Sequence, residues 1–80
     1  MRVKKRSPDR VKELKKLRMG RGFFTYEDMA QAITERGVHM TRQSYSNKEN
    51  GITKFSVDEI EAMADILGLS LASAVDFLKL

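Results

Sequence analysis

The sequence has no cysteine and a single histidine. The first absence removes any disulfide framework and any thiolate metal site, and His39 alone cannot assemble a zinc site. Neither a metal nor another cofactor is expected, and His39 reads as a solvated or locally hydrogen-bonded residue. Long apolar runs are missing as well: nothing approaches the roughly 18 residues of a membrane span. The opening MRVKKRSPDR is basic but passes into charged sequence instead of an apolar leader core, so a cytoplasmic protein without a membrane partner is expected. No stretch alternates as a strand does over more than a few residues, and neither an internal repeat nor a low-complexity linker occurs.

Eighty residues with 41% hydrophobic content support one small core. A domain of this size buries only about 60% of the surface its unfolded chain exposes, so packing alone has little to spare. Acidic groups are scarce at one end. Before residue 22 the chain carries Arg2, Lys4, Lys5, Arg6, Arg10, Lys12, Lys15, Lys16, Arg18 and Arg21 against only Asp9 and Glu13, whereas residues 57–80 are net acidic. The basic end suits a polyanion, although such lysines also serve simply to solvate a helix. Residues 1–6 read as a basic, flexible arm and residues 7–80 as the folded domain.

Helix signals recur along that domain. Pro8 suits a first helical position, and Val11, Leu14 and Leu17 follow on one face, giving a helix over about 8–19 that Gly20 and Gly22 end. Thr25 caps a second helix with Met29, Ala30 and Ile33 inward; Thr34, Glu35 and Arg36 extend it towards a left-handed stop at Gly37. Thr41 caps a third helix that runs to Asn50 and Gly51. Ser56 and Glu59 have capping-box spacing and open a fourth, with Val57, Ile60, Met63, Ala64 and Leu67 inward and Gly68 beyond its end. Ser70 caps a fifth, whose inward stripe reads as Leu71, Ala74, Val75 and Leu78. The expected fold is all-α, a five-helix bundle.

The third helix carries the distinctive chemistry. At about 100° per residue, Arg42, Gln43, Ser46, Asn47 and Asn50 fall within an arc of roughly 140°, with Tyr45 opposite. Arg pairs bidentately with guanine, Gln and Asn pair bidentately with adenine, and Ser serves either a base or a phosphate. A helix that is merely solvated accounts for the same pattern, but such helices usually carry Glu and Lys instead of Gln, Ser and Asn.

Over residues 14–71 the chain resembles the lambda-type phage repressor and Cro family of helix-turn-helix domains. The resemblance lies in LKKLRMGRG, FTYEDMAQAI, TRQSYSNKENG and FSVDEIEAMADILGLSL, in that order and spacing, and it implies a five-helix repressor-type bundle whose third helix enters the major groove. By resemblance, Arg42, Gln43, Ser44 and Asn47 read bases. Asn50, Lys54 and the second-helix cap Thr25 match phosphate-contacting positions, Tyr26 stands at another, and Ser46 and the arm residues Arg2, Lys4, Lys5 and Arg6 complete the backbone-binding set. Arg18 and Glu49 match a structural ion pair between the first and third helices. Duplex DNA is the implied partner, in a nucleoid-associated regulator with no small-molecule substrate.

Three positions depart from the family pattern. TERGVHM is longer than the usual tight turn between the second and third helices. Tyr26 replaces a glutamine that often grips phosphate, and Lys48 stands where an apolar residue normally packs, from which its ammonium is expected to snorkel outward. These departures keep a second reading open, a protein-interaction module of the same fold that modulates a repressor.

The remaining residues read plainly. Met19, Met29, Met40 and Met63 are expected to fill gaps in the core, and one of Phe23 and Phe24 to brace the first helix. Leu69, Phe77 and Leu80 exceed what so small a core can hide, and mark an expected interface with a second copy or a heterologous repressor. No catalytic residue is found: Asp58, Glu59 and Glu61 are explained as helix N-terminal charge, and Ser44 and Ser46 have no evident base. An enzyme is not expected.

Overall fold

Thr25, Thr41, Ser56 and Ser70 each accept a backbone N–H that the helix they open leaves unpaired. A computed structural model of the chain describes residues 8–78, with side chains from residue 11 onward; the arm residues Arg2, Lys4, Lys5 and Arg6, and Leu80, lie outside the described residues. Among the described residues there are five helices and no strand: α1 (Pro8–Gly20), α2 (Tyr26–Glu35), α3 (Arg42–Glu49), α4 (Val57–Leu67) and α5 (Leu71–Leu78). None of them is long and apolar enough to cross a membrane.

Thr25 and Ser56 each close a reciprocal capping box, with Asp28 and Glu59 as the returning carboxylates. The Thr41 hydroxyl accepts the Ser44 N–H at 3.1 Å, and the Ser70 hydroxyl accepts the Ser73 N–H at 3.2 Å. Gly68 ends α4 at φ +71°, a left-handed conformation that glycine adopts without steric cost. A side chain there would also meet the Arg21 guanidinium, which lies 2.6 Å from the position a Cβ would take.

The core lies between α2, α4 and the inner side of α5, with Leu14 reaching in from α1. Met29, Ile33, Tyr45, Met63, Leu67, Ala74 and Leu78 are essentially inaccessible. Met40 is buried in the α2–α3 connection, whereas Met19 is exposed on α1, so three of the four methionines expected in the core are there. Met19 falls on the far side of α1 from Leu14 and Arg18, the two residues that helix buries. Phe23 packs on the core edge and Phe24 is left exposed.

The inward stripe of α5 differs from the one its pattern suggests. Ala74 and Leu78 are buried and Phe77 packs against the core, whereas Leu71 and Val75 are 50% and 43% exposed. Phe77 lines the groove between α1 and α5 together with Leu17. Seating that large ring turns the helix about its axis, which carries Leu71 and Val75 out to one margin. Phe77 and Leu69, expected at an interface, are half-buried against the domain's own core.

The connection between α2 and α3 spans Arg36 to Thr41 and is tied down despite its length. Gly37 at φ +88° lets the chain leave α2. The Thr34 hydroxyl then accepts the Met40 N–H at 3.2 Å and lies 2.9 Å from the Ala30 carbonyl oxygen. Val38 packs on the core and Met40 is buried. One polar clip and two apolar anchors therefore fix where α3 starts.

Candidate nucleic-acid interface

Tyr45 is the one strongly apolar residue of α3, so most of what seats this helix is polar. Glu49 and Arg18 are 1% and 2% exposed. The Arg18 Nε and Nη2 groups donate to the two Glu49 carboxylate oxygens at 2.8 and 3.3 Å, and Nη1 donates to the Phe23 carbonyl at 2.7 Å. The Tyr45 hydroxyl donates to the same carboxylate at 2.7 Å. Burying two charges is costly unless their hydrogen-bonding capacity is met, and here three residues meet it together.

Aromatic rings continue the junction. Tyr26 and Phe55 pack on either side of Tyr45, with ring centroids 6.0 and 6.2 Å away. The Arg18 guanidinium carbon lies 5.1 Å from the Tyr26 ring centre, within cation–π range. Tyr26 thereby joins the first, second and third helices, a role its position in the sequence does not announce.

Lys48 does not turn to water. Its ammonium donates to the Lys54 carbonyl at 2.9 Å and pairs with the Glu59 carboxylate at 3.2 Å, and the side chain is only 15% exposed. The same Glu59 oxygen accepts the Ser56 N–H at 2.7 Å, so the α4 capping box supplies the counter-charge. A half-buried ion pair stands where an apolar anchor was wanting. Lysine followed by a capping glutamate eleven residues on was the available signal, but nothing in the pattern brings the end of α3 against the start of α4.

With its inner side so held, α3 turns Arg42 and Gln43 to solvent and leaves Ser44, Ser46 and Asn47 half-exposed. Gln43 and Asn47 are joined by an amide–amide hydrogen bond of 3.1 Å. Asn50 is exposed at the helix end, and its amide group donates inward, to the Ser46 carbonyl at 2.8 Å and towards the Tyr26 hydroxyl at 3.4 Å. The Tyr26 oxygen accepts in that contact. The Thr25 hydroxyl is committed to the Asp28 N–H at 3.0 Å. Lys54 is exposed in the loop after α3.

Arg42, Thr25 and Tyr26 line one concavity with Lys15, Arg18, Phe24 and Glu27. Gln43, Ser44 and Asn47 lie along the adjoining face of α3. No local sequence pattern places Lys15 and Phe24 beside this face. Among the described residues no group of His, Asp or Glu side chains has the arrangement of a metal site.

A family model described as a helix-turn-helix domain matches residues 11–76. No curated protein and no solved structure matches the chain. The matched span takes in most of α1, all of α2, α3 and α4, and most of α5. In such domains the second helix of the motif is the one presented to the major groove. The chain therefore belongs to the helix-turn-helix domain family.

Proposed function

We propose that this chain is a small transcription regulator of the repressor or Cro type that binds duplex DNA sequence-specifically through α3. The observation that carries the reading is the division of α3 into two faces. Tyr45 and Glu49 are held inside by Arg18, while Gln43, Ser44 and Asn47 stand outside with Arg42 at the leading end. Every outward side chain in that group forms hydrogen bonds to base edges, and none is an acid that would repel DNA. The Tyr26 hydroxyl, Lys54, Ser46, Thr25 and Asn50 then surround the reading face as phosphate contacts. Arg2, Lys4, Lys5 and Arg6 add charge as a basic arm.

The test is binding of purified protein to duplex DNA from the flank of its own gene and to mixed-sequence duplex, over a salt series. Affinity should fall steeply with salt as bound cations release counterions. Gln43→Ala should cost about 1–3 kcal/mol on the preferred site and little on mixed sequence, whereas Lys54→Ala should weaken both and lower the salt slope by about one. A folded protein with no duplex affinity at low salt contradicts the reading.

A second reading rests on Leu71 and Val75, exposed one turn apart on α5. Together they supply apolar surface for a second copy or for a heterologous repressor. Sedimentation of wild type and Val75→Asp, alone and with candidate regulators, tests it; a strict monomer with no partner removes it.

A further inference from the structure

Phe24 is 64% exposed although it immediately precedes a helix cap. An apolar residue in that position usually folds back onto the fourth residue of the helix. Here that residue is Met29, which is already inaccessible, and Phe23 packs on the core edge instead. Phe24 is left as uncommitted aromatic surface, and it does not stand alone. It lines one concavity with Lys15 from α1, Tyr26 at the start of α2 and Arg42 at the start of α3; the buried Arg18 also borders it, and Glu27 is its acidic member.

Three elements thus bring two exposed cations, a phenol and a free ring to one depression beside the reading face of α3. A DNA strand alternates an anionic phosphate with a deoxyribose whose ring face is largely apolar. A cation beside an exposed ring matches that alternation.

We infer that this concavity is a backbone subsite for one nucleotide of duplex DNA, in which the Phe24 ring packs on a deoxyribose while Lys15 engages an adjoining phosphate and Arg42 stays with the base-reading group at its edge. The inference rests on the duplex-DNA reading above and adds to it a sugar contact and two residues, Phe24 and Lys15. Because the contact is with sugar and phosphate, it acts equally on every sequence.

The experiment is a salt series of fluorescence-anisotropy titrations with a short mixed-sequence duplex, and in parallel with one of its single strands. Wild type, Phe24→Ala, Phe24→Tyr and Lys15→Ala are compared, each checked for unchanged thermal unfolding. Phe24→Ala should weaken duplex binding on the order of tenfold without altering the salt slope, because the lost contact is apolar. Phe24→Tyr, which keeps the ring, should bind as wild type does. Lys15→Ala should lower the slope by about one. If wild type binds duplex and Phe24→Ala binds equally well, the subsite is overturned while the DNA reading stands. A loss confined to the single strand overturns it in favour of base stacking. No duplex binding by wild type removes both.

Discussion

Around Met63 the domain coheres by apolar burial; around Glu49 it coheres by charge and hydrogen bonds. The first region joins α2, α4 and α5 through Met29, Ile33, Met63, Leu67, Ala74 and Leu78. The second joins α1 to α3 through Arg18, Tyr45 and Glu49, and α3 to α4 through Lys48 and Glu59. Apolar burial is nearly indifferent to direction, so it stabilises a scaffold without dictating the angle of any one helix. Bidentate and charge-assisted hydrogen bonds hold only over a narrow range of distance and angle. The helix proposed to read base edges is seated here by the directional kind of interaction, and the scaffold behind it by the other.

Removing one member of the buried junction should have the largest effect. Glu49→Ala leaves the Arg18 guanidinium inside without its counter-charge and should cost about 3–5 kcal/mol, read as a fall in the denaturant midpoint. In the apolar region, Met63→Ala should cost about 2–5 kcal/mol through lost burial and the cavity left behind. The two regions then separate on a second readout. At temperatures where both variants remain folded, Met63→Ala should keep its preference for the specific DNA site and Glu49→Ala should lose it.

Smaller effects sharpen the contrast within the second region. Gln43 and Asn47 share a hydrogen bond on the outer face. A double-mutant cycle of Gln43→Ala and Asn47→Ala on the preferred site should therefore show a coupling of about 0.5–3 kcal/mol, where independent readers would give none. Lys48→Met should change stability by no more than about 1 kcal/mol. The Glu59 carboxylate keeps the Ser56 N–H as a partner when the ammonium is lost, and the methionine offers apolar contact in its place. A large loss there would mean that the two ion pairs on α3 are equivalent, and the comparison would have to be redrawn.

The helices were legible from the sequence because their signals are local. Thr25, Thr41, Ser56 and Ser70 are caps, and Gly37 and Gly68 are left-handed ends, that act within a few residues of where they stand. The rotation of α5 was not legible, since it is set by the fit of Phe77 beside Leu17 on α1, and Leu71 and Val75 score as well on the helical period as Ala74 and Leu78 do. The sequence shows Lys48 where an apolar residue normally packs and Glu59 as a capping residue, without linking the two. That one carboxylate serves both the cap and the lysine is a tertiary fact with no local signature. That Phe24 and Lys15 share a concavity with Arg42 has no local signature either, because that concavity exists only once three helices are assembled.

The most direct test exchanges the directional junction for an apolar one of similar volume. In the variant Arg18→Met, Tyr45→Phe, Glu49→Met, no buried charge is left unpaired, and such replacements are often neutral or stabilising by about 1–4 kcal/mol. Its thermal unfolding and its affinities for the preferred and mixed-sequence duplexes should be measured together. Stability at or above wild type, with mixed-sequence affinity retained and the preference for the specific site lost, is the predicted result. Full retention of that preference would contradict the claim that the polar junction sets how α3 meets DNA.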